Sequence, residues 1–101
     1  MTQTKPYRNP VAVAQEWQAL VDSGDMPSRA ALARRLGAAR VHVTQVLLLL
    51  RLSNEAQQAV LSAGDPMQGR GIGEHALRSI VRLPAPEQEH RIRELGRRNG
   101  R

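Results

Sequence analysis

The sequence predicts an all-α protein, a compact bundle of about six short helices containing a helix-turn-helix. Three observations lead there. Alanine, leucine, arginine and glutamine dominate, and these side chains lose little freedom in a helix. Glycine or proline recurs at intervals suited to short helices, and no stretch alternates apolar and polar residues as a half-buried strand does. One central segment, 28–47, has the spacing of two helices that cross at a steep angle.

The elements follow in order. A first helix is expected from about Pro10, a good first-turn residue behind an Asn9 cap, to about Asp22, with Gly24 ending it. Val13, Trp17, Leu20 and Val21 fall on one face, which makes Trp17 a core residue. Ser28 caps a second helix, Arg29 to Leu36, and Gly37 stops it. A third begins near Arg40 and continues to about Leu50 or Arg51, since nothing between them breaks a helix. Ser53 caps a fourth that ends near Ala63 and Gly64. Residues 64–73 hold four glycines and a proline and read as a loop. A fifth helix fits Glu74 to Leu83 before Pro84, and a sixth opens at Pro86 and reaches about Leu95, with Gly96 as its stop. Residues 1–9 therefore read as a flexible arm, 10–95 as one helical domain and 96–101 as a basic tail.

At 101 residues the chain has the length of one domain. It contains no cysteine, which removes disulfides, thiolate metal sites and nucleophilic thiols. Tyr7 and Trp17 are the only aromatics, too few for the stacking platforms on which single-strand binders depend. The longest apolar run, Val46 to Leu50, is far short of a membrane span, and Met1 to Pro6 has no signal-type apolar stretch. A cytoplasmic, nucleoid-associated location is expected, with no membrane partner. His42, His75 and His90 include no helical pair at spacing four, and no serine sits in a nucleophile-elbow pattern. No catalytic residue, no cofactor and no metal ligand are expected.

The net charge is +6, which favours a polyanionic partner. Most of the excess lies in residues 28–52, where Arg29, Arg34, Arg35, Arg40 and Arg51 stand with no acid at all. The same segment carries the helix-turn-helix pattern. Ala33 is the small residue where two backbones approach, Leu32 and Leu36 flank it, Gly37 and Ala38 form the turn, and Val43 and Val46 are core positions of the second helix. At 100° per residue, Val43, Val46, Leu47 and Leu50 share an inward face. The opposite face presents Arg40, Val41, Thr44, Gln45 and Leu48 as candidate base readers. Gln45 suits the N6/N7 edge of adenine, Arg40 guanine or phosphate, and Val41 or Thr44 a thymine methyl. Candidate phosphate contacts are Ser28, Arg29, Arg34, Arg35, His42 and Arg51, with Arg70 in the glycine-rich loop.

The runs Leu32-Ala-Arg-Arg-Leu-Gly37, His42-Val-Thr-Gln-Val-Leu-Leu-Leu-Leu-Arg-Leu-Ser53, Glu55-Ala-Gln-Gln58 and Ile72-Gly-Glu-His-Ala-Leu-Arg78 resemble the DNA-binding core of the ParB/KorB partition-protein family. The resemblance spans about residues 26–95. It implies an all-helical bundle whose helix-turn-helix docks on a palindromic DNA site, with later helices bracing the unit and adding phosphate contacts. The chain is also similar to small stand-alone proteins of this type carried on phages and mobile elements beside site-specific recombinases. Residues 1–27 have no counterpart of the family's nucleotide-binding domain, and its C-terminal dimerisation domain has none either, so CTP binding and clamp sliding are not expected. Ala39 replaces the usual capping serine of the recognition helix, and Leu48 stands where a basic residue is common.

The resulting expectation is a sequence-specific double-stranded DNA-binding protein, a transcriptional regulator or an accessory factor in partition or recombination. It would act as a weak homodimer on a palindromic site, with a recombinase or transcription protein as a further partner. The alternative is a protein-interaction adaptor that uses the same helix face to dock on another protein.

Overall fold

The computed structural model describes residues 8–65, 67 and 72–99, with side chains as far as residue 96. The expectations for the first seven residues, for Arg70 and for the end of the basic tail lie outside the described residues. Among those described, the secondary structure is all helical: α1 Pro10–Asp22, α2 Arg29–Leu36, α3 Arg40–Leu47, a one-turn 3₁₀ helix Leu48–Arg51, α4 Asn54–Leu61, α5 Glu74–Ile80 and α6 Ala85–Asn99.

Short polar side chains start three of these helices. Asn9 Oδ1 accepts from the amides of Val11 and Ala12, Ser28 Oγ from Ala31 and Ser53 Oγ from Ala56, each satisfying donors that a first turn leaves free. Two hydrophobic clusters fill the interior. The larger gathers Val11, Ala14, Val46, Leu49, Leu52, Ala56, Val60, Ile72, Leu77, Ile80 and Ile92, joining α1 and α3 to α4, α5 and α6. The smaller, Met26, Leu32, Ala33, Val43 and Leu47, lies between α2 and α3.

Four expectations are corrected. The third helix tightens at Leu48 into a 3₁₀ turn, in which residues three apart eclipse. Val43, Val46, Leu49 and Leu52, spaced by threes, are therefore all buried, and Leu50 is only half-buried. The fifth helix stops at Ile80, not Leu83: the amides of Arg82 and Leu83 bond the carbonyls three residues back, and the buried Gln88 amide takes the free carbonyls of Val81 and Leu83. Its Oε1 also accepts from the Ser53 amide at 2.7 Å, so one side chain staples the start of α4 and the end of α5 to α6. The sixth helix starts at Ala85 and runs through Gly96 to Asn99. A mid-helix glycine costs only about 1 kcal/mol, and pairs such as Glu89 with Arg93 support the turns before it. Finally, Trp17 is half-buried, packed at the junction of the two clusters with one side facing a cavity.

Arg8 and Asn9 also differ from a loose arm. Asn9 is fully buried, its amide donating to the carbonyls of Val60 at 2.8 Å and Gly64 at 3.0 Å. The Arg8 guanidinium bridges Glu16 and Asp65, and the Asn9 amide N–H adds a bond to Asp65. The Asp65 carboxyl is lowered to about 2, first by the Arg8 hydrogen bond and then by the Asn9 amide, and the Arg8 guanidinium is correspondingly raised.

Candidate nucleic-acid interface

The geometry of the site begins with the crossing of α2 and α3. Leu32 is fully buried and Ala33 is 2 % exposed, so a small residue does sit where the two helices meet. Leu36 is 42 % exposed and does not flank the contact as expected. It lies one turn beyond the crossing, on the rim of a groove shared with Leu20 and Met26, and Met26 fills the place assigned to it in the small cluster. The turn closes as a Schellman motif: the Ala38 amide bonds the Ala33 carbonyl, the Gly37 amide bonds that of Arg34, and Gly37 takes φ +67°. That left-handed conformation is what glycine supplies here at no steric cost.

With Val43, Val46 and Leu47 buried, the outward side of α3 is set. Arg40, Val41 and Thr44 are exposed there and Gln45 is half-buried beside them. Val41 is 64 % exposed, the most exposed large apolar side chain described. Ala39 offers no side-chain cap, so the first amides of α3 have no side-chain partner. Ser28, Arg29, Arg34 and Arg35 are exposed on α2 and at its start, and Arg51 is exposed on the 3₁₀ turn.

Two candidates point elsewhere. Leu48 is half-buried and lines a cleft against α5. His42 turns back towards α1 and α5, its ring edge-on to Trp17 at 6.1 Å and its Nδ1 4.0 Å from Glu74 Oε1.

The cleft beside Leu48, about 760 Å³ in volume, adds groups that local spacing does not single out. It runs from Gln45 and Arg51 to His75, Arg78 and Arg82. Arg78 donates to His75 Nδ1 at 3.2 Å, while its Nε is buried with no partner within the protein. In the sequence Arg78 and Arg82 stand four apart, but nothing there places them beside α3.

The electrostatics separate these arginines from the others. Among the described residues, Arg8, Arg91 and Arg93 each pair with a carboxylate. No such pair engages Arg29, Arg34, Arg35, Arg40 or Arg51. An exposed surface of this kind suits the phosphates of a duplex, with a helix of the width that enters a major groove at its centre. Among the described residues no group of three His, Asp or Glu side chains could hold a metal ion, and no helix is long and apolar enough to cross a membrane.

Comparison with known proteins adds one finding. The family model described as ParB HTH domain matches residues 8–95, nearly the whole chain. No curated protein and no solved structure matches it.

Proposed function

This chain belongs to the ParB helix-turn-helix domain family, a DNA-binding fold, and from that premise we propose that it reads a specific double-stranded sequence with α3 in the major groove. The observation that carries the proposal is the coincidence of two features: an outward α3 face bearing Arg40, Val41, Thr44 and Gln45, and four further arginines around it, Arg29, Arg34, Arg35 and Arg51, none of which pairs with a carboxylate among the described residues. Gln45 pairs with adenine and Val41 or Thr44 meets a thymine methyl, while Arg29, Arg34, Arg35 and Arg51 hold the backbone. Ser28, at the start of α2, brings a helix N-terminus to the same phosphates. Arg78 and Arg82 extend the backbone track past the end of α3, with the unpartnered Nε of Arg78 as one donor.

The biological role we assign is regulator of transcription or accessory factor in partition or recombination. A single module of this size buries roughly 600–1,000 Å² on DNA, so two copies on a palindromic site are the arrangement that reaches useful affinity. The free protein is then a monomer that loads as a pair, helped by the effective concentration the duplex provides.

Selection of bound sequences from a random duplex pool tests the reading, because a palindromic result reports both the site and the pairing. Gln45→Ala is expected to cost about 1–3 kcal/mol on the selected site and to relax preference at one base pair, with non-specific binding retained. Unchanged specificity in that variant rejects this orientation of α3. The exposed Val41 also favours a second reading, an apolar docking face for another protein. Affinity that is insensitive between about 50 and 200 mM salt would select that reading instead.

A further inference from the structure

A cavity of about 410 Å³ lies behind the start of α3, away from the face assigned to DNA. Pro10, Val13 and Trp17 of α1, Val46 of α3, and Met67 and Ile72 form its apolar wall, and His42 and Glu74 form its polar end. That volume falls within the range of sites for small organic ligands, which combine an apolar lining with few polar groups. The two groups of the polar end do not hydrogen-bond each other: His42 Nδ1 and Glu74 Oε1 stand 4.0 Å apart. Arg8 also borders the space, but its guanidinium is committed to Glu16 and Asp65. Among the described residues Glu74 is thus the lone carboxylate of the lining, partly shielded at 27 % side-chain exposure, and no described guanidinium pairs with it. The indole of Trp17, half-buried where a core tryptophan was expected, stands beside it.

We propose that this cavity binds a small apolar molecule carrying one hydrogen-bond donor, an arylalkyl amine or alcohol. Its hydrocarbon body lies along Val13 and Trp17, and its donor meets the Glu74 carboxylate. An ammonium gains further from the face of the indole. Because His42 and Val46 belong to α3, the occupant touches the reading helix from behind. On the DNA-binding reading above, it shifts DNA affinity by whatever difference it makes between the free and bound forms of that helix.

Trp17 is the only tryptophan of the chain, so its fluorescence reports this cavity alone. Titration of the full chain with 2-phenylethylamine and with 2-phenylethanol is expected to change Trp17 emission saturably. Phenylacetate, with the same ring but an anionic acceptor, should bind about tenfold more weakly or worse, since one charge-assisted hydrogen bond is replaced by repulsion. Glu74→Ala should weaken 2-phenylethylamine by about tenfold while leaving the thermal melt in place. Val13→Phe should fill the cavity and abolish the response; if that variant does not fold, Glu74→Ala decides alone. No saturable change with either donor probe, equal binding of phenylacetate, or wild-type binding by Glu74→Ala overturns the proposal. These titrations contain no DNA, so their failure is distinct from failure of the DNA-binding reading. An unaltered affinity for the selected duplex at saturating 2-phenylethylamine would overturn the coupling to α3.

Discussion

The α2–α3 unit and the rest of the bundle are built on opposite terms. The unit is held by a cluster of five buried side chains, and its arginines meet no carboxylate among the described residues. The remainder supplies ten of the eleven buried residues of the larger cluster, Val46 being on α3, and two buried polar staples in Asn9 and Gln88; its Arg8, Arg91 and Arg93 engage Glu16, Asp65, Glu94 and Glu89. The far side of the bundle pairs its described arginines with carboxylates, and the side around α3, Arg78 and Arg82 included, leaves them for a partner. The stability of such a molecule and its affinity for DNA are thereby assigned to different residues, and substitutions can separate them.

The largest effect is expected in the small cluster. Leu32→Ala removes a fully buried side chain and should cost about 2–5 kcal/mol, and with so few neighbours to take up the loss it should abolish DNA binding below the melting temperature. Leu77→Ala, equally buried in the larger cluster, should lower stability comparably yet leave the affinity of the folded fraction intact. Denaturation followed by DNA titration of both variants makes the comparison, and equal loss of affinity would erase the distinction. Next comes Gln88→Leu, which keeps the volume but leaves the Ser53 amide and the carbonyls of Val81 and Leu83 without their partner. A loss of about 1–3 kcal/mol is expected, again with DNA affinity unchanged.

Charge gives a finer test. Arg34→Ala and Arg35→Ala should each reduce the slope of log affinity against log salt by about one, whereas Arg91→Ala and Arg93→Ala, whose guanidiniums already meet Glu94 and Glu89, should not. Equal slopes in all four variants would mean that the free arginines are merely solvated. The smallest effect belongs to Asp65. Its carboxyl is lowered from 3.8 to about 2 in the folded state, so the clasp with Arg8 contributes fully above about pH 4 and is lost as pH falls towards 2. Asp65→Asn should melt earlier than the wild type at neutral pH, and the gap should close on acidification; a gap that stays constant would show that the clasp does not depend on this charge.

Much of the unit was legible in the chain because its signals are local. Asn9, Ser28 and Ser53 cap as their side chains dictate, Gly37 takes the left-handed turn, and Val43, Val46 and Leu47 point inward at helical spacing. What escaped depends on distant partners. The burial of Asn9 requires the carbonyls of Val60 and Gly64, and that of Gln88 requires the ends of two other helices. The 3₁₀ turn at Leu48 is selected by the three-residue spacing of buried leucines, which a uniform helix hides. Arg78 and Arg82 come to the end of α3 only through packing of α5, so no spacing within either segment reveals the cleft.

The Asn9 amide also has a consequence for the order of events on the ribosome. Its partners lie 51 and 55 residues downstream, so the first helix emerges long before the carbonyls that anchor it. At about 5–20 residues per second, the wait for Val60 is about 3–10 s. Within that interval α2 and α3 are made, and until it ends their buried face has α1 to pack on but no fastening at its start. The clasp shuts only when the chain reaches Gly64, which places the locking of the DNA-reading unit after its own synthesis.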